Sequence, residues 1–204
     1  MSPDPIFDTK KRLRSAARLA RAEAFRRHGA EAGQRIAGHG IAFAGIAPPA
    51  LVSGFLPIGE EIDPLPLLEK LASAGFGLAL PVMTGKGAPL LFRAWKPQDA
   101  LTEVTWGIRE PLASAPEIEP DIVLAPLLAF DAQGYRLGYG GGFYDRTLAR
   151  LRSAKEIIAI GIAYDEQRVD TVPHHQYDQR LDWVLTPSGP VKCNIPSPRR
   201  RGEG

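Results

Sequence analysis

Residues 136–145 read RLGYGGGFYD, and four of the five positions from 138 to 142 are glycine. Backbone without side chains adopts positive φ freely and can turn successive N–H groups into one concavity, the shape a phosphate oxygen requires. An apolar run at 122–129 precedes the segment and a helical pattern resumes near Tyr144. The loop is therefore placed between a strand and a helix N-terminus, whose dipole contributes roughly 0.3–1 kcal/mol toward an anion at an exposed site. Arg136 supplies a guanidinium fork for phosphate, and Asp145 supplies a hard oxygen ligand for Mg²⁺. A tight turn alone needs neither group. The spacing is not GxxxxGK[ST], and GxGxxG fails because Phe143 occupies the third glycine's place. These residues predict a phosphate-binding loop of its own type for a magnesium–nucleotide complex; the bland alternative is a glycine-rich strand-to-helix connection.

Such a loop needs a rigid frame. The chain has 204 residues, enough for one sizeable core, and its 44% hydrophobic and 24% charged residues describe a folded domain. Residues 51–56 read as a short buried strand, after which Asp63 caps and Pro64 opens a helix running to about Ala74, ended by Gly75. Residues 76–82, 90–95, 122–129, 157–164 and 182–185 read as further strands, with 97–120 a Pro-containing connection around Trp106. Alternating strands and helices predict an α/β fold of three α/β/α layers, Rossmann-like, with a mainly parallel central sheet and ligands at its carboxyl edge. Residues 1–186 are expected to form one domain and 187–204 a disordered basic tail containing Arg199, Arg200 and Arg201.

Residues 9–28 read as a basic amphipathic helix with Asp8 or Thr9 as N-cap and Leu13, Ala16, Ala17, Ala20 and Ala24 at helical spacing. Lys10, Arg14, Arg18 and Arg21 share one stripe. A solvated basic face is the plain reading of that stripe, and Arg18 and Arg21 are assigned to it. Net charge is only +2, from 25 basic and 23 acidic side chains, so nothing global demands a nucleic acid or an anionic membrane. A lone Cys193 precludes an intramolecular disulfide, and no apolar stretch suggests a secretory signal or a membrane span; a reducing, cytoplasmic setting is the expectation. His174 and His175 are adjacent and point apart, which speaks against a zinc site.

The string RLGYGGGFYDR, preceded by FDAQG and followed by IIAIGIAYDEQ, resembles the 5-formyltetrahydrofolate cyclo-ligase (methenyltetrahydrofolate synthetase) family. KKRLR, which is Lys10, Lys11, Arg12, Leu13 and Arg14, sits where the family has its nucleotide-contacting basic motif. FLPIGEEID resembles the folate-side loop, TWGIREP a connection around Trp106, and YDQRLDWVLTP the last metal-bearing segment. The resemblance implies ring closure of 5-formyltetrahydrofolate to 5,10-methenyltetrahydrofolate with ATP and Mg²⁺, giving ADP and phosphate. It implies phosphorylation of the formyl oxygen, followed by attack of N10.

Residue by residue, the resemblance implies Lys10, Arg14 and Arg136 as the cations at the transferring phosphoryl group. The nucleotide would also meet Lys11, Arg12 and Leu13, and the loop Leu137, Gly138, Tyr139, Gly140, Gly141, Gly142, Phe143 and Tyr144. Leu56, Glu61, Tyr139 and Phe143 would face the folate. Asp145 and Asp178 would bind Mg²⁺, with Asp182 a rival to Asp178. The expected partner is a small folate substrate of a monomeric chain, with no membrane and no nucleic acid. Two departures stand out: Tyr139 and Gly141 occupy positions where some relatives carry Arg and Lys, and Phe143 stands where Tyr is common. A different ATP-using enzyme on the same scaffold, and a non-catalytic protein holding RNA or another polyanion, are the alternatives.

Overall fold

The computed structural model describes residues 5–104 and 107–195, so Trp106 and the Arg199, Arg200, Arg201 run lie outside the described residues. In chain order the strands are β1 (Leu51–Ser53), β2 (Gly77–Met83), β3 (Leu90–Ala94), β4 (Leu101–Glu103), β5 (Arg109–Pro111), β6 (Ile122–Pro126), β7 (Ala129–Phe130), β8 (Arg136–Leu137), β9 (Ile158–Ile162), β10 (Trp183–Thr186) and β11 (Gly189–Lys192). The α-helices are α1 (Pro5–His39), α2 (Leu65–Ser73) and α3 (Phe143–Ala154). One sheet runs in the order β11, β10, β9, β6, β1, β2, β3. Its five inner strands are parallel, and β11 and β3 close the two edges antiparallel.

Strand residues alternate between two apolar layers, as the two-residue period of a strand dictates. Val52, Leu78, Ile122, Leu124 and Ile160 pack with Ala24, Ile36, Leu67 and Leu71, the inward residues of α1 and α2. Ala79, Val123, Ala125 and Ala159 face the other way, onto Leu148 and Leu151 of α3. The sheet therefore lies between helices on both faces, in the three layers expected.

Helix α1 differs from its expected extent at both ends. It begins at Pro5, so Asp8 lies in the first turn and not at the cap, and it continues through Gly29 and Gly33 to His39. Gly33 has a packing reason. A Cβ there would stand 2.6 Å from the Asp63 carbonyl oxygen, so its absence lets α1 close onto the entrance of α2. That entrance lies one residue later than expected, with Pro64 at the N-cap position and Leu65 the first helical residue, while Asp63 Oδ1 accepts the Leu65 N–H at 3.0 Å.

Three further segments depart from expectation. The run at 122–129 breaks after Pro126, and the chain turns into the separate two-stranded β7–β8 pair. The 97–120 connection contains the β4–β5 hairpin, which Glu110 ties to β2 through the Met83 N–H at 2.9 Å. The segment expected as the start of a disordered tail instead supplies β11, paired with β10 from Trp183↔Lys192 to Thr186↔Gly189. An edge strand tolerates Pro190 because it needs hydrogen bonds on one side only.

Candidate functional site

Where β1, β2 and β6 end, the chain leaves a cavity of about 330 Å³. This is the carboxyl edge of the parallel strands, where open α/β sheets hold ligands. Phe55, Leu56, Leu80 and Met83 form an apolar end, while Lys10, Arg14, Arg136, Asp145 and Asp178 bring charge to the same cavity. The glycine loop forms a wall.

Two loop positions need glycine. Gly140 has φ 105° and Gly142 has φ 66°, conformations that carry a steric penalty for any residue with a Cβ. Gly142 is also the N-cap of α3 and places no side chain on its first N–H groups. These donors therefore remain for an anion, with the favourable end of the helix dipole behind them. A Cβ on Gly140 would stand 3.5 Å from the Arg14 guanidinium, and Arg14 Nε donates to the Gly138 carbonyl at 2.9 Å. The loop is thus shaped around a cation supplied by α1.

Arg136 is buried, with 4% of its side chain exposed, and its guanidinium spans two partners. Nη2 donates to Asp145 Oδ1 at 2.7 Å, and Nη1 donates to the Gln179 carbonyl. The Gln179 N–H returns to the same Asp145 oxygen at 3.0 Å. Burial pulls the Arg136 pKa below its ordinary value while Asp145 opposes, and a guanidinium stays charged under either influence. Lys10 Nζ donates to Asp178 Oδ2 at 2.6 Å, and the His175 N–H donates to the same oxygen at 2.7 Å. Burial alone would raise the Asp178 pKa, but these two donors outweigh it and hold the carboxyl below its usual range.

Both hydrogen bonds to Asp145 fall on Oδ1 and both to Asp178 fall on Oδ2. Each carboxylate is oriented through one oxygen, and the other is the atom that could serve as a hard ligand. Among the described residues no group of three His, Cys, Asp or Glu side chains is arranged to hold a metal. That donor set fits Mg²⁺, which keeps several waters and takes phosphate oxygens beside one or two carboxylates. Asp182 is placed elsewhere: its Oδ2 accepts the Ala159 N–H at 2.8 Å and pairs with Arg152 at 3.0 Å, fastening β10 to β9.

The structure brings Lys10 and Arg14 of the KKRLR segment to the cavity and leaves Lys11 and Arg12 exposed on other faces of α1. Leu13 packs with Leu128 and Leu137 beneath the β7–β8 pair. Leu137, Gly138, Tyr139, Gly140, Gly141, Gly142, Phe143 and Tyr144 all line the cavity, as do Leu56 and Glu61. Sequence reasoning overlooked Arg109 and Glu110, which the β5 strand adds to the lining. Their hairpin carries no apolar period from which to read it.

Arg21 requires a correction. It belongs to no solvated face, for only 6% of its side chain is exposed. Its Nη1 donates to the Tyr139 hydroxyl, which in turn donates to Glu61 Oε1, and its Nη2 donates to Glu60 Oε2 at 3.2 Å. The signal was the spacing. Residue 21 follows residue 10 by eleven positions, three helical turns and about 20°, whereas Arg18 stands about 80° round from Lys10. Arg18 is exposed. Glu61 is buried, its Oε2 accepting the Ile58 N–H at 2.9 Å, and burial raises its pKa against the pull of these donors and of Arg21.

Comparison with known proteins bears on this site. A profile of the 5-formyltetrahydrofolate cyclo-ligase family matches residues 7–187. The 5-formyltetrahydrofolate cyclo-ligase of Escherichia coli K12 is 37% identical over 163 residues, covering 78% of this chain and 89% of that protein. The protein of the same name from Haemophilus influenzae is 32% identical over 188 residues, covering 88% of this chain and 99% of its own length. The solved structure of Aquifex aeolicus 5,10-methenyltetrahydrofolate synthetase has the same fold, with a TM-score of 0.74 and 22% identity over 95% of this chain and 99% of that one.

Proposed function

The chain belongs to the 5-formyltetrahydrofolate cyclo-ligase family, and on that basis we propose that it closes 5-formyltetrahydrofolate to 5,10-methenyltetrahydrofolate with ATP and Mg²⁺, releasing ADP and phosphate. The observation that carries the reading is the single cavity in which a glycine loop, the cations Lys10, Arg14 and Arg136 and the carboxylates Asp145 and Asp178 adjoin an apolar end. Phosphates suit the first end and a flat pterin ring the second.

An N-formyl group is an amide, and its carbon resists attack because the nitrogen lone pair is delocalised into the carbonyl. Transfer of the γ-phosphoryl group to the formyl oxygen, with ADP leaving, removes that resistance. N10 then adds to the activated carbon and gives up its proton, and the C–O bond to phosphate breaks to leave the methenyl bridge. Such a sequence needs alignment and charge neutralisation more than a nucleophilic side chain.

In this account Lys10, Arg14 and Arg136 balance charge on the phosphoryl group, and the loop N–H groups hold the remaining phosphates. Asp145 and Asp178 hold Mg²⁺, which supplies further neutralisation when bound. Leu56, Glu61, Tyr139 and Phe143 border the folate. Purified protein given 5-formyltetrahydrofolate and Mg-ATP is expected to develop the absorbance of the methenyl product. A flat trace from protein that binds ATP contradicts the proposal.

A further inference from the structure

We propose that Arg21 is a positioning residue that couples the two ends of the cavity, tying the glycine loop through Tyr139 to the loop that carries Glu60 and Glu61. The inference rests on the reading of the cavity as a joint nucleotide and folate site.

Arg21 does not line the cavity; Tyr139 and Glu61 do. Every hydrogen bond of its guanidinium goes to one of these two loops, to the Tyr139 hydroxyl on one side and to Glu60 on the other. Its Nη1 also lies 3.7 Å from Glu61 Oε1, while its Nε is buried with no partner. Burying an arginine is costly unless its partners compensate, and here the partners lie in the loops, 39 and 118 residues along the chain. A cation held in this way belongs to both loops at once.

The chain of donors has a direction. Arg21 donates to the tyrosine oxygen, and the tyrosine proton goes to Glu61, whose other oxygen fixes the Ile58 N–H. Burial, and then Glu61, push the Tyr139 pKa up, so the phenol keeps the proton it donates. Ser, Thr or Phe at 139 could not span the same gap with the same polarity.

Both loops are open to solvent on their outer sides: Tyr139 is 42% exposed, and the Glu60 side chain 46%. A ligand that orders one loop fixes Tyr139 or Glu61 and, through Arg21, lowers the entropic cost of ordering the other. That is positive coupling between binding events, and it is reciprocal. Phosphates at the glycine loop would thereby prepare the apolar end for the folate.

The test is calorimetric binding of 5-formyltetrahydrofolate, alone and with saturating Mg-ADP, which lacks the transferable group and allows no turnover. The wild type is expected to bind the folate about tenfold more tightly with Mg-ADP present, within the usual range of such couplings. In Tyr139→Phe and in Arg21→Met that ratio falls to about one, and the double variant shows no further loss, since both changes break the same link. A wild-type ratio of one, or a wild-type ratio preserved in Tyr139→Phe, overturns the inference. Should Arg21→Met fail to fold, Tyr139→Phe decides alone, because its ring sits at the surface and loses only a hydroxyl. Wild-type protein that binds neither ligand overturns the underlying functional reading instead.

Discussion

Lys10 Nζ stands 2.6 Å from Asp178 Oδ2, joining the second turn of α1 to a loop 168 residues further along the chain. The pair closes one side of the cavity. Charge-assisted bonds of this kind contribute about 1.5–3 kcal/mol, so Asp178→Asn is expected to lower stability by about that much at pH 7. The folded-state pKa of Asp178 lies below its ordinary value. Its contribution is therefore complete above the unfolded pKa, near ~3.9, and is lost as pH falls through the folded value. Thermal unfolding of the wild type and the Asn variant should differ at pH 7 and converge in acid; a gap that persists below the folded pKa contradicts the assignment.

Arg136 holds Asp145 and the Gln179 carbonyl with separate nitrogens of one planar group. A lysine ammonium can keep the charge but not that fork. Arg136→Lys is expected to fold and to raise the KM for ATP about tenfold, the equivalent of ~1.4 kcal/mol. Arg136→Met, which removes the charge as well, should cost about 3 kcal/mol of stability. Unchanged ATP kinetics in the lysine variant would place the phosphates elsewhere.

Gly140 is constrained by its backbone, at φ 105°, while a Cβ there would meet the Arg14 guanidinium at 3.5 Å, an ordinary contact distance. Gly140→Ala should cost roughly 1–2 kcal/mol of backbone strain and disturb the loop that Arg14 holds at the Gly138 carbonyl. The expected signature is a raised KM for ATP with the far-ultraviolet spectrum of the helices unchanged. Equal ATP affinity in the alanine variant would mean that the loop conformation does not matter to the nucleotide.

These constraints were unevenly legible in the sequence. The parallel strands declared themselves as apolar runs, and α2 and α3 as periodic segments with Pro64 and the glycine loop at their starts. Arg136 and Asp145 could be singled out because a turn has no need of them. Arg21 was obscured because α1 carries cations on almost every face, so that burial of one of them depends on loops far along the chain. β11 was obscured because Gly189 and Pro190 suggest a break, and only the exposed side of an edge strand makes them acceptable. α1 reaches His39 because Gly33 serves tertiary contact with Asp63, which overrides its poor helix propensity.

Asp182 and Asp178 are separated by their surroundings, and the distinction can be measured. Asp182 accepts from the Ala159 N–H of β9 and from Arg152 of α3. Asp182→Ala should lower the melting temperature through the loss of about 2–3 kcal/mol while leaving the Mg²⁺ concentration for half-maximal rate unchanged. Asp178→Ala should raise that concentration about tenfold. The reverse pattern would exchange their roles.

The β11 strand gives a prediction for the carboxyl end. Removing everything after Thr186 strips β10 of its antiparallel partner and exposes its edge. The shortened protein should aggregate on heating and melt lower, by roughly the 2–4 °C that ~1 kcal/mol represents in a domain of this size. An unchanged melting temperature would mean that β11 adds nothing to the sheet.

The central claim is that the formyl oxygen itself receives the γ-phosphoryl group inside this cavity. Turnover of 5-formyltetrahydrofolate carrying ¹⁸O in the formyl group, followed by ³¹P NMR of the released phosphate, tests it directly. The account predicts one ¹⁸O atom in each phosphate released. Phosphate without the label would contradict it.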